Sequence, residues 1–194
     1  MTANYHDPLT QFVINKYTSP DQIFLDVGCA SAPYRVYVPG KYIGMDFTND
    51  AYAEGVERRV DLIGEAENIP MEGSSVDIVF SRAAFFLATD HKKALAEFQR
   101  VLKPGGRIIL MDYNRRTQRR FAKLGHAPSA PIPTIHKPCW TQWGLLRLVQ
   151  RCGYRDAQIV TPTGKDVPHV ERLARLAHQE MFGQWAIVTA ITES

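Results

Sequence analysis

The chain has 194 residues, 45% of them hydrophobic and 22% charged, with a formal net charge of +3. This ordinary globular composition excludes a disordered, collagen-like or repeat protein and predicts one domain with a full hydrophobic core. No apolar run approaches the roughly 20 residues of a membrane helix, and MTANYHDPLT lacks a basic-then-apolar leader pattern. Cys29, Cys139 and Cys152 lack metal-type spacing, so neither a disulfide framework nor a metal site is expected, and a reducing cytoplasm is.

Asp7 followed by Pro8 is a helix start, and Leu9, Phe12, Val13 and Tyr17 recur at helical spacing up to the Ser19-Pro20 turn. IFLDV (23–27) is a short apolar run of the kind buried on both faces of a sheet. YIGMD (42–46), Val60–Ile63, VDIVFS (76–81) and RIILMD (107–112) read the same way. Ala94, Leu95, Phe98, Val101 and Leu102 mark a helix from about Asp90, stopped by KPGG (103–106). Strand, helix and strand with compact connections form a βαβ unit, hence a parallel sheet.

Beyond Asp112 a short basic helix is expected over Arg115–Leu124, followed by an irregular proline-rich stretch over 127–138. Leu145, Leu148, Val149 and Cys152 give a helix capped by Thr141 and stopped by Gly153. AQIV (157–160) reads as a strand, Asp166 caps a helix carrying Val170, Leu173, Leu176 and Ala177, and WAIVTAIT (185–192) is the last strand. Seven strands with intervening helices predict a three-layer α/β sandwich. No acidic residue occurs between Tyr113 and Arg155, where nine Lys and Arg residues lie. That basic run suits an anionic ligand or simply a solvated helix face.

In parallel sheets, ligands bind beyond the carboxyl ends of the strands. Gly28 follows the first strand, and Asp46 ends the second, where a carboxylate takes both hydroxyls of a ribose. A dinucleotide turn needs glycine at 30 and 33, but Ala30 and Pro33 stand there, and no phosphate-loop GK[ST] follows. An adenosine cofactor without phosphates, such as S-adenosylmethionine, relaxes that demand.

IFLDVGCASAPY resembles the first motif of the class I S-adenosylmethionine-dependent methyltransferases, and IGMD their ribose motif. EAENIPMEGSSVDIVFS is similar to their adenine-binding and fourth-strand stretch, ALAEFQRVLKPGGRIIL to their most recognisable segment, and WTQWGLLRLVQRCGY to their closing helix. The resemblance implies a Rossmann-like sandwich whose seven-stranded sheet is mostly parallel with an antiparallel C-terminal strand. It implies S-adenosylmethionine as cofactor, with Asp26, Gly28 and Ala30 at its methionine end and Asp46 and Phe47 at its ribose. Glu65 and the Ala66 backbone would meet the adenine, and Ser81 would mark the strand end facing the cofactor's amino group. Ala30 and Ala32 depart from the family's glycines. PYRVYVPGKYIG is similar to a variety with an abbreviated connection between the first two strands.

Where many relatives carry Glu-His after the fourth strand, this chain has Phe85-Phe86. Arg82, Phe85, Phe86, Tyr113 and Arg115 are the expected acceptor contacts. His126 and His136 are the expected bases, ahead of His6, Asp112 and Tyr113. The segments 1–20 and 113–140 are expected to form the acceptor side of one domain spanning 1–194. The expected reaction is in-line methyl transfer to an oxygen or nitrogen atom of a small, anionic or aromatic acceptor, by a monomer or homodimer away from membranes. SRAA after the fourth strand lacks the turn of nucleic-acid amine methylases, which disfavours a nucleic-acid substrate. The alternatives are a binding or regulatory protein without turnover and an RNA-modifying enzyme.

Overall fold

The structure is a computed structural model that describes residues 7–48, 59–114, 140–162 and 185–193. The first helix, α1 (Pro8–Tyr17), starts where Asp7 accepts the backbone N–H of Thr10, with proline in its first turn. The strands are β1 (Ile23–Val27), β2 (Lys41–Asp46), β3 (Leu62–Ile63), β4 (Val76–Arg82), β5 (Leu102–Tyr113), β6 (Arg155–Ile159) and β7 (Trp185–Ile191). Between β4 and β5 lies α2 (His91–Val101), capped by Asp90, and before β6 lies α3 (Gln142–Arg151), capped by Thr141.

These strands form one sheet in the order β3-β2-β1-β4-β5-β7-β6. The first five pair in parallel, as the βαβ pattern implied, and β7 runs antiparallel to both β5 and β6, as the family resemblance implied. Alternation along each strand feeds two cores. Leu25, Val79, Leu110 and Val188 pack with Leu95 and Phe98 of α2 and Leu145 of α3. Phe24, Phe80, Ile109 and Ile187 pack with Leu9, Val13 and Ile14 of α1. This is the expected sandwich, and strand order reverses between β1 and β4, which puts a binding crevice at their carboxyl ends.

Several boundaries differ from the sequence reading. KPGG does not precede β5 but lies within it: Val76 pairs with Leu102 and Ile78 with Arg107, so residues 103–106 bulge opposite Asp77. Lys103 holds that bulge by donating to both carboxylate oxygens of Asp77 at 2.9 Å. β3 is shorter than expected, and β6 begins two residues before AQIV. Only a single 3-10 turn, Arg35–Tyr37, connects β1 to β2, as the abbreviated connection implied. The helices expected over 115–124 and after Asp166, and the proline-rich stretch, lie outside the described residues.

Candidate functional site

The turn after β1 is built from alternating left-handed residues: Gly28 at φ 82°, Ala30 at φ 50° and Ala32 at φ 52°. A side chain in this region costs roughly 1–2 kcal/mol, so alanine holds here a conformation that glycine adopts freely. The surrounding hydrogen bonds impose it. Gly28 and Cys29 donate their N–H groups to the Met45 carbonyl at 2.8 and 3.1 Å, and Ala32 donates to the Cys29 carbonyl at 2.7 Å. Glycine is compulsory only at 28, where an added Cβ would stand 2.2 Å from the Cβ of Ala84.

Asp46 ends β2 directly beside this turn. Its carboxylate accepts the backbone N–H of Ala30 at 2.8 Å and of Phe47 at 2.9 Å.

A cavity of about 790 Å³ opens at the carboxyl ends of β1, β2 and β4. Gly28, Ala30, Asp46, Phe47, Glu65 and Ala66 line one part of it; Arg82, Phe86 and Tyr113 line another. The wall is acidic, because Asp46, Glu65 and Glu67 face a single cation among the described lining residues. That cation, Arg82, is already paired: its Nη2 donates to Asp7 at 2.7 Å, and its guanidinium lies 5.1 Å from the Tyr34 ring centre and 4.1 Å from that of Trp185. Both partners of the pair are largely buried.

Three residues expected to contact ligands do not line the cavity. Asp26 is buried and accepts the Tyr42 hydroxyl at 2.5 Å. Burial raises its carboxyl to about 7, only partly opposed by that hydrogen bond. Tyr42 is shifted upward too, by burial and then by Asp26. Ser81 turns inward and donates to the Val27 carbonyl at 3.0 Å, tying β4 to β1. Phe85 belongs to the core, stacked on Trp140, tilted against Phe98 and edge-on to His91, whereas its neighbour Phe86 reaches the cavity and meets Tyr113 edge-on. His6, Arg115, His126 and His136 lie outside the described residues.

Other contributors were not legible as site residues. Ala83, at φ 54°, and Ala84 form the rim after β4, and their small side chains let that rim approach the Gly28 turn. Glu67 accepts the backbone N–H groups of Thr89 and Asp90, closing one edge of the cavity. The loop carrying Glu65 is held from α2. Glu97 accepts the Ile69 N–H at 2.9 Å, and Arg100 donates to the carbonyls of Ile69 and Met71 at 2.8 Å. Among the described residues no cluster of His, Cys, Asp or Glu is placed to hold a metal ion, and no helix is long and apolar enough to cross a membrane.

Residues 25–110 match the family model described as a methyltransferase domain. Over 97 residues the chain is 36% identical to malonyl-acyl-carrier-protein O-methyltransferase of Alcanivorax borkumensis, covering 44% of this chain and 33% of that one. Over 112 residues it is 30% identical to demethylmenaquinone methyltransferase of Staphylococcus haemolyticus, covering 52% and 47%. The chain thus spans about a third to a half of the length of these relatives. Among solved structures, a SAM-dependent methyltransferase from Aquifex aeolicus superposes with a TM-score of 0.63 at 20% identity, covering 97% of this chain and 90% of that one. The 4+2 cyclase SpnF has the same fold, with a TM-score of 0.63 at 18% identity, covering 96% and 80%.

Proposed function

We propose that the chain is a class I S-adenosylmethionine-dependent methyltransferase that transfers a methyl group from S-adenosylmethionine to an oxygen or nitrogen atom of a small-molecule acceptor, a reading supported by its match to a methyltransferase-domain model and by its methyltransferase relatives. The observation that carries this reading is the charge of the cavity. Three carboxylates and an arginine already neutralised by Asp7 repel a diphosphate but suit a ligand bearing a sulfonium and an ammonium group.

S-adenosylmethionine supplies a methyl group on a positively charged sulfur that needs no further activation. In this reading the Asp46 carboxylate, at the end of β2, holds the ribose hydroxyls. Glu65 and the Ala66 backbone take the adenine edge, with Phe47 against its face. The Gly28–Ala30 turn carries the methionine end. Phe86 and Tyr113, set edge-on, give the acceptor side an aromatic corner, which orients the acceptor and excludes water. No histidine lines the cavity among the described residues, so His126 and His136 are the bases proposed from sequence.

Calorimetry with S-adenosylmethionine tests the first step. Micromolar binding that is lost in a folded Asp46→Ala variant is expected; no binding at millimolar cofactor overturns the reading. Formation of S-adenosylhomocysteine across a panel of small phenols, amines and carboxylates then tests transfer itself.

A further inference from the structure

Asp112, the penultimate residue of β5, is 0% exposed, and neither carboxyl oxygen has a hydrogen-bond partner among the described residues. The indole Nε1 of Trp140 is buried and without a partner as well. Orphaned buried polar atoms are rare and costly, so two of them side by side call for a physical account. They are neighbours: the Trp140 indole N–H and the Phe86 backbone N–H both favour the charged form of Asp112 without closing a bond that satisfies it.

The surroundings are otherwise apolar. Ala186 faces Asp112 across the ladder on β7. The α3 helix presents Leu145 and Leu146 to this core, and the turn after β4 presents Phe85. On α2, His91 is the titratable neighbour, packed edge-on to the Trp140 ring at 4.9 Å. No charged side chain among the described residues acts on Asp112, so burial dominates and raises its carboxyl to about 8. Phe86, whose backbone approaches Asp112, carries the side chain that lines the cavity and meets Tyr113. Trp140 is bridged to Asn114, two residues beyond Asp112. One carboxyl group is therefore in touch with the backbone of Phe86, on the cavity wall, and with Trp140, in the core beside it.

We propose that Asp112 is a positioning residue for methyl transfer: as the neutral acid it leaves Phe86 and Trp140 where apolar packing sets them, and as the carboxylate it draws their N–H groups onto itself and shifts the acceptor wall. The movement follows from the cost of the unpaired anion. A buried carboxylate gains about 1.5–3 kcal/mol from each donor it captures, whereas the neutral acid gains far less from closing the same gap. Asp112 touches neither cofactor nor acceptor; it acts through Phe86.

The test rests on the methyltransferase reading for one arm only. In the first arm, indole N–H resonances of the uniformly labelled protein are followed from about pH 6.5 to 9.5, the Trp140 signal being the one missing in Trp140→Phe. It is expected to shift with a midpoint near pH 8 and to stand still in Asp112→Asn. A Trp140 signal that does not move, or that moves equally in Asp112→Asn, overturns the proposal. Should Asp112→Asn fail to fold, Asp112→Leu takes its place in the same comparison. In the second arm, kcat/KM on an identified acceptor is expected to change at least about threefold through this pH window and to be flat in Asp112→Asn, with S-adenosylhomocysteine affinity kept within about twofold. The same pH step in both proteins overturns the positioning role. Absence of turnover at every pH, with the Trp140 shift intact, overturns the methyltransferase reading instead.

Discussion

The carboxylate of Asp46 accepts the backbone N–H of Ala30 at 2.8 Å, so the acid that ends the second strand also buttresses the turn that follows the first. The two halves of the crevice are one hydrogen-bonded unit. Removing the carboxylate orphans the N–H groups of Ala30 and Phe47. Asp46→Ala is expected to lower stability by about 1–3 kcal/mol and S-adenosylmethionine affinity by more than about tenfold. Asp46→Asn, which keeps one oxygen acceptor, should retain most of the stability while still losing affinity. Denaturant melts paired with calorimetry separate the two effects.

Ala30 and Ala32 hold left-handed backbone without the freedom of glycine. Replacing either by glycine relieves about 1–2 kcal/mol of strain and adds about 0.5–1 kcal/mol of unfolded-state entropy. A net gain of up to about 1.5 kcal/mol per site is expected in urea denaturation. A loss in both variants would show that the turn is not strained.

Asp7 caps α1 and neutralises Arg82 with the same carboxylate. Asp7→Asn keeps the capping oxygen but leaves a buried guanidinium without its counter-ion. It is therefore expected to cost more than the roughly 0.3 kcal/mol of a cap change alone, on the order of 2 kcal/mol. Asp7→Asn combined with Arg82→Gln should recover part of that loss, which a double-mutant cycle measures.

Asp26 and Asp112 are buried carboxyls raised from 3.8 to about 7 and about 8. Because the folded state binds these protons more tightly than the unfolded chain, each contribution is fully present below pH 4. It is then lost as pH rises, to about 7 for Asp26 and about 8 for Asp112. Stability should therefore fall from acid towards neutral pH, with a slope of at most about 1.4 kcal/mol per pH unit for each group. Asp112→Asn should remove one proton from that slope across pH 5–7, and so be relatively more stable at pH 8.5 than at pH 5 when compared with wild type. Chemical denaturation at the two pH values checks this.

The sheet, α1, α2 and α3 were legible because apolar runs and caps such as Asp7-Pro8 act locally. The lining of the crevice was legible where a strand end sets a residue's place, as for Gly28, Asp46 and Glu65. Asp26 turns to Tyr42 because one residue's step along a strand reverses the face it presents, and nothing local separates a carboxyl facing ligand from one facing Tyr42. Phe85 and Phe86 look equivalent in sequence; only the turn after β4 sends one to the core and the other to the cavity. The bulge within β5 escaped because KPGG has the chemistry of a turn whether it ends a helix or interrupts a ladder.

The bracket that Glu97 and Arg100 place around Ile69 and Met71 anchors the loop carrying Glu65 to α2, a helix that supplies none of the described cavity lining. On the proposed function, substitutions there would retune how tightly the donor is gripped while leaving Phe86 and Tyr113 in place. Donor affinity and acceptor choice would then be separable under selection, and one could drift while the other is held.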